Sequence, residues 1–510
     1  MEQKILKSNI FANEILYEEW CEQPIDVEFT LPDYCPDISK ILKCRATARI
    51  SSKSAVNKNI NLDGNVCINV LYSDKNCKLC SYEYQYPFSK NLECSNDLTV
   101  ANIVCTPSCE YINCRAVTGR KIDIHGAIGI NVKSFKRKNT EIISDIELDN
   151  IELKRINAPA TVPMGYAEKY LMLEEDLSVG QGQPQIEKII RYDANTSVKE
   201  SKIIDDKILV KGEMCISILY CAAGCDMPQN VKTVIPFSQI VELQGVTELC
   251  ECETKSEIAF LDIKPKNSVL GETKCFAITA KILLSCETYC GNEIVVISDA
   301  FSRKYKAEIQ KENICFEKIC DNVKEIFHYK NNFEIDENIS NVLDIFGDIQ
   351  NQNTSFEDGF LVIKGNMIIG IVAVDENADI CYFEKNAEFE YKTQITSNNK
   401  NLYANPQIEI TALNFTIITP NNIEIRADIR VNASVYYCEK MMLVCDVKID
   451  EKCLLEKKNN GAMTIYFAEK QENIWDIAKH YGSSVDEIMS INDLEEEFLT
   501  QPKMILIPII

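Results

Sequence analysis

Histidine and tryptophan are scarce in this chain, with three and two residues respectively among 510. His125, His328 and His480 stand far apart, which excludes metal motifs built from two nearby histidines. Long apolar runs are missing too, and none approaches the roughly 18 residues that a membrane-spanning helix needs. The opening MEQKILKSNIFANEILYEEW is interrupted by Glu14, Glu18 and Glu19, so it is not expected to act as a secretory signal. Positive charge is in deficit: 54 Lys+Arg against 77 Asp+Glu leave a formal charge of −23. That balance disfavours a general nucleic-acid binder and long-range attraction to an anionic membrane or wall polymer, and leaves a partner with a basic patch. No Gly-x-x-x-x-Gly-Lys-Ser/Thr phosphate loop and no Gly-x-Ser-x-Gly elbow occurs. The chain is therefore expected not to be an enzyme, with no catalytic residues and no cofactor. Asp375–Asp379 begins like a calcium loop, but Ile380 stands where such a loop needs glycine.

Cysteine, by contrast, is abundant at 24 residues. In a chain without an export signal these are expected to be reduced thiols serving as small buried hydrophobes. The best metal candidate, Cys77-Lys-Leu-Cys80, lacks a second pair at zinc-ribbon spacing, and Cys105, Cys109 and Cys114 fit no standard site, so no metal is expected.

The sequence repeats itself three times. Ile38, Ile186 and Ile339 each precede a glycine by 26 positions: Gly64-Asn-Val-Cys-Ile, Gly212-Glu-Met-Cys-Ile and Gly365-Asn-Met-Ile-Ile. Pro87-Phe-Ser and Pro236-Phe-Ser follow, with a degenerate Phe389-Glu-Tyr in the third copy. Each copy closes on an alternating run: Ile122 to Ile130, Phe276 to Leu284 and Ile423 to Val431, with Gly126, Ala280 or Ala427 in the middle. Period-two alternation marks strands with one face on a core, and the small central residue marks a crowded spot or a bend. The unit reads as β-rich, a sandwich or an open barrel, with a helical turn expected near Ile38–Cys44.

Composition divides the chain into an N-terminal segment 1–30, repeat one at 31–156, repeat two at 183–305 and repeat three at 335–450. Linkers are expected at 157–182, 306–334 and 451–461, from clusters such as Asn157-Ala-Pro-Ala-Thr-Val-Pro-Met-Gly. Residues 462–510 change texture. A strand from Met463 precedes a helix over 473–481 that ends at Gly482. A second helix, Val485–Ile491, is opened by a Ser484/Glu487 capping box, and a final strand spans Met504–Pro508.

Ile474-Trp-Asp-Ile-Ala-Lys-His-Tyr-Gly482, Val485-Asp-Glu-Ile, Ile491-Asn and Ile507-Pro resemble the LysM module, which implies a small βααβ fold and glycan binding between the loops flanking the helices. Gln471-Glu-Asn replaces the usual Gly-Asp-Thr of the first loop, and Gln501-Pro-Lys replaces Pro-Gly-Gln in the second. Leu31-Pro-Asp-Tyr-Cys-Pro-Asp-Ile-Ser-Lys-Ile-Leu42 resembles the opening of the SPOCS domain. Three SPOCS-like copies followed by one LysM module resemble the SipL-type clostridial spore coat morphogenetic proteins. The resemblance implies a non-enzymatic scaffold in the mother-cell cytoplasm at the forespore surface, later in the spore coat. Its LysM module would bind the coat-basement ATPase, stage IV sporulation protein A, alongside other coat or forespore surface proteins. The residues expected to carry that contact are Trp475, Met463, Tyr466, Lys470 and Lys479. The alternative is a glycan-binding protein of the cell or spore envelope, working through loops 471–473 and 493–503.

Overall fold

The computed structural model describes residues 4–147, 150–180, 184–225, 227–267, 273–397, 401–455 and 461–508. Unit one comprises β1 (Lys4–Thr30), β2 (Lys40–Val56), β3 (Asn59–Ser73), β4 (Leu79–Glu93), β5 (Asn102–Ala116) and β6 (Lys121–Glu147). Unit two comprises β7 (Ile151–Ser178), β8 (Ile186–Ile204), β9 (Lys207–Ala222), β10 (Gln229–Glu242), β11 (Glu251–Asn267) and β12 (Thr273–Ser302). Unit three comprises β13 (Tyr305–Glu334), β14 (Ile339–Glu357), β15 (Phe360–Asp375), β16 (Ile380–Gln394), β17 (Leu402–Ala404), β18 (Gln407–Thr419) and β19 (Asn422–Leu454). In each unit one antiparallel sheet is a plain meander: β2-β3-β4, β8-β9-β10 and β14-β15-β16. The other puts the last long strand between the first long strand and the penultimate one: β1-β6-β5, β7-β12-β11 and β13-β19-β18, with β17 also on β19. The apolar faces of the two sheets meet in one core per unit, as a sandwich requires.

The repeated landmarks are strand partners. Gly64 lies opposite Phe88, Gly212 opposite Phe237 and Gly365 opposite Phe389. A Cβ on Gly64 would stand 2.3 Å from the Phe88 ring, so the glycine makes room for the aromatic to lie across the strand. The small residue of the third landmark also earns its size. A Cβ on Gly126 would meet the Tyr111 carbonyl at 2.6 Å, beside a β-bulge at Cys109/Tyr111.

Two expected linkers are strands instead. Most of 157–182 belongs to β7, paired with β12, and 306–334 lies in β13, paired with β19. The prolines that suggested a hinge, Pro159 and Pro163, sit on β7, which among the described residues pairs with β12 alone. An edge strand tolerates the missing N–H. Residues 4–30, expected as a separate segment, form β1 on β6. Of 451–461, the first residues continue β19, while 456–460 lie outside the described residues. No helical turn forms at Ile38–Cys44, where β2 begins at Lys40.

The three meander sheets share a core made from Leu71, Leu79, Ile190, Leu219, Leu343, Phe346, Val372 and Val374, with Leu42 packed against it. Leu42, Ile190 and Leu343 stand at one equivalent position, and in every unit the strand register slips there. A bulge re-aims a side chain, and here it serves contact between units. Around this core, Arg191 pairs with Asp344 and Arg45 with Asp193 at 2.7 Å. The Arg191 guanidinium lies 3.9 Å from the centre of the Phe346 ring.

The long strands extend beyond the sandwiches as two-stranded ribbons, and their outer halves form a stalk. Ile142, Ala158, Val296, Phe316 and Leu443 make one layer of its interior; Ile143, Ile146, Ile297, Ala300, Val444 and Val447 make another. A disulfide, Cys315–Cys438, ties β13 to β19. This corrects the expectation of reduced thiols throughout; the register Cys315↔Lys440 and Glu317↔Cys438 makes the two diagonal neighbours on adjacent strands.

Candidate partner-binding site

The last fifty residues fold as expected into β20 (Met463–Ala468), α1 (Ile474–Tyr481), α2 (Val485–Ile491) and β21 (Lys503–Pro508). The Asn473 carboxamide accepts from the Trp475 N–H at 2.7 Å to cap α1, and Gly482 ends the helix at φ 63°. Ser484 occupies the N-cap position of α2 but makes no side-chain cap bond, so the capping-box reading fails. Its hydroxyl instead meets the Glu152 carboxylate on β7, whose pKa is pushed up by burial against this bond and the pull of Arg303.

That contact belongs to a broader seat. Phe301 of β12 enters the module's own core with Ile474, Ile477, Ile488 and Ile507. Trp475 packs edge-on against Phe301, ring centres 5.0 Å apart, and is 3% exposed. Its indole N–H donates to Asp299 Oδ2 at 2.9 Å, and Lys479 Nζ donates to the same oxygen at 2.7 Å. Lys311 of β13 pairs with the other Asp299 oxygen at 2.7 Å. Burial pushes the Asp299 carboxyl up, but the bonds from Lys311, Lys479 and Trp475 outweigh it and hold the pKa at about 2. The module is thus seated on the stalk through unit two, with Lys311 of unit three holding the far oxygen of Asp299.

The expected contact residues therefore separate. Trp475 and Lys479 face the stalk rather than presenting an open edge. Met463 and Tyr466, expected in one patch, lie on opposite faces of β20, because neighbouring side chains of a strand alternate. The Tyr466 hydroxyl donates to Glu472 at 2.9 Å and the ring packs against Tyr481. Lys470 is exposed in the turn before α1.

Met463 points outward, and with it Ile465 and Phe467 from β20 and Met504 from β21, each between 51% and 74% exposed. The register Phe467↔Met504 and Ile465↔Leu506 makes these one continuous apolar face. Sequence reasoning missed Ile465, Phe467 and Met504, although the run Met463-Thr-Ile-Tyr-Phe467 carries apolar residues on both faces, more than a single core-facing side requires. The module's surroundings are acidic, with nine Asp+Glu against three Lys in 461–510 and Glu495, Glu496 and Glu497 all exposed.

The two loops that would flank a glycan are joined to each other. Gln471 N–H donates to Leu499 O at 2.8 Å, Leu499 N–H to Glu472 O at 3.1 Å, and Ile474 N–H to Glu497 O at 2.8 Å. Gln471 keeps the left-handed backbone that a glycine would adopt, at φ 73°.

Elsewhere, Cys77 is exposed and Cys80 half-buried, and no third ligand joins them among the described residues. The one convergence of three such groups among those residues is Asp26, Asp123 and His125, where Arg115 already pairs with Asp123. The Asp375 carboxylate accepts from the N–H groups of Asn377 and Asp379, both at 2.8 Å, in a tight turn.

Comparison with protein-family models finds the SipL SPOCS domain at residues 37–117 and 185–266, and the LysM domain at residues 469–507. The SPOCS matches fall on β2–β5 and β8–β11, the corresponding strands of units one and two. No curated protein and no solved structure matches the chain.

Proposed function

We propose that this chain, which joins SPOCS domains to a LysM domain as SipL-type proteins do, is a non-enzymatic adaptor of spore-coat assembly. Its C-terminal module captures the coat-basement ATPase, stage IV sporulation protein A, at the forespore surface in the mother cell, while the SPOCS units hold other coat components. The observation that carries this reading is the outer sheet face of Met463, Ile465, Phe467 and Met504. It is apolar and open on a module whose opposite side is occupied by the stalk. Exposed contiguous apolar surface marks binding sites, and the acidic rim selects a partner with basic residues around an apolar centre.

Glycan binding is the weaker reading, because the loops it requires are hydrogen-bonded to one another. The test is capture of the ATPase by the full chain. Phe467→Glu should weaken capture at least tenfold while leaving the thermal transition in place. Undiminished capture by that variant, or saturable binding of chitin oligomers by the wild type, would sink the proposal.

A further inference from the structure

A cleft of about 550 Å³ lies between units two and three, lined by Lys202, Glu248, Cys250, Cys252, Tyr289 and Lys324 among others. Cys252, on β11, is half-buried at its wall; Cys286, on β12, is fully buried behind it, and the two thiols are in hydrogen-bond contact. The strand register pairs Cys252 with Thr288 and Thr254 with Cys286, so the thiols are diagonal neighbours. The disulfide Cys315–Cys438 has the same offset, each cysteine facing a residue two positions beyond its partner cysteine. A pair at that offset is therefore already bridged elsewhere in this fold.

We infer that Cys252 and Cys286 form a reversible thiol–disulfide site that accepts a low-molecular-weight disulfide through the cleft, Cys252 attacking and Cys286 resolving. The Cys252 thiolate attacks one sulfur of the incoming disulfide. A mixed disulfide forms and the other half leaves as a thiolate. Cys286 then gives up its proton and attacks the Cys252 sulfur, closing the intramolecular bond and releasing the second half. One disulfide is reduced to two thiols while the protein dithiol is oxidised, and the two protons pass to the leaving thiolates. The surroundings favour this order. The bond from Cys286, the Thr254 hydroxyl at 3.3 Å from the Cys252 sulfur and the charge of Lys324 lower the Cys252 pKa against burial, whereas Cys286 is pushed up. Cys44 and Cys114 touch similarly in unit one, but there the thiol at a cleft wall, Cys44, is the one pushed up. Closure would staple β11 to β12 beside the junction with unit three.

The experiment uses the full chain, reduced, then exposed to oxidised glutathione, with remaining thiols blocked and disulfides mapped by mass spectrometry of a non-reduced digest. The expected result is a Cys252–Cys286 link that dithiothreitol removes. In Cys286→Ser, and in Cys286→Ala as a second packing, the glutathione adduct should remain on Cys252 and form about tenfold faster than on the exposed Cys225. A Cys250–Cys290 link in place of Cys252–Cys286, or glutathionylation of Cys225 with Cys252 untouched, would overturn the assignment.

Discussion

The Trp475 indole N–H donates to Asp299 Oδ2 at 2.9 Å, across 176 residues of sequence. Through this bond the small C-terminal module is held on the ribbon of unit two. Trp475→Phe keeps the ring against Phe301 and loses the bond, which should cost about 1 kcal/mol. Trp475→Ala removes the packing as well and should cost about 3–5 kcal/mol. Hydrogen exchange should show the difference: β12 near Phe301 should lose protection strongly in the alanine variant and weakly in the phenylalanine variant.

The same seat should respond to acid. The Asp299 pKa in the folded chain is lowered from 3.8 to about 2. Its contribution is then fully present above about pH 4 and is lost as the pH falls toward 2. In a Trp20→Phe background, the emission of Trp475 should shift to the red across that window. An Asp299→Asn variant should show no such transition.

The loop ahead of α1 carries a residual strain that substitution can relieve. Gln471 sits at φ 73°, a backbone conformation that costs a side-chain-bearing residue about 1–2 kcal/mol. Gln471→Gly should stabilise the module by about 1 kcal/mol, visible in chemical denaturation, and Gln471→Val should destabilise it.

The three strand glycines should differ in tolerance. A Cβ would stand 2.3 Å from the Phe88 ring at Gly64, 2.4 Å from Phe237 at Gly212 and 2.8 Å from Phe389 at Gly365. At Gly64 and Gly212 a backbone carbonyl also lies within 2.7 Å, while at Gly365 the nearest one is 3.6 Å away. Alanine should therefore cost about 1–3 kcal/mol at the first two positions and less at Gly365. Equal losses at all three, measured by thermal unfolding, would contradict this packing.

The ion pair Arg191–Asp344 is buried on both sides. Burial pushes the Asp344 carboxyl up although Arg191 favours its charge. Asp344→Ala leaves the buried guanidinium with Asp193, 3.0 Å away, as its remaining carboxylate and takes the acceptor from Asn230, and should cost about 2–3 kcal/mol. Replacing both partners, as in Arg191→Met with Asp344→Leu, should recover most of the loss, read as the midpoint of urea unfolding.

The strands were legible where one face meets a core, because alternation is a local pattern: Ile122 to Ile130 announced β6, and Ile474 to Tyr481 announced α1. The triplication was legible because Gly64, Gly212 and Gly365 recur at fixed spacing. The edge strands β7 and β13 were not legible. An edge ladder leaves prolines such as Pro159 unpunished and polar residues such as Asn313 solvated, so the composition imitates a linker. The role of Trp475 was hidden for another reason. Its partner, Asp299, is an ordinary carboxylate until the ribbon brings it to the module, and nothing local to either residue marks the meeting. The outer face of Ile465 and Phe467 was visible as excess apolarity on β20, but a strand in isolation does not reveal which of its two sides is covered.

At one equivalent position the three units carry Arg45, Asp193 and Phe346: a guanidinium, a carboxylate and an aromatic ring. A homotrimer of one sequence would have to confront three identical groups there. Concatenation in a single polypeptide removes that demand and lets every junction carry its own chemistry. It also makes the cyclic order of the copies a fixed property of the gene. Transposing the second and third would leave each sandwich intact while presenting every side chain at the junctions to the wrong neighbour.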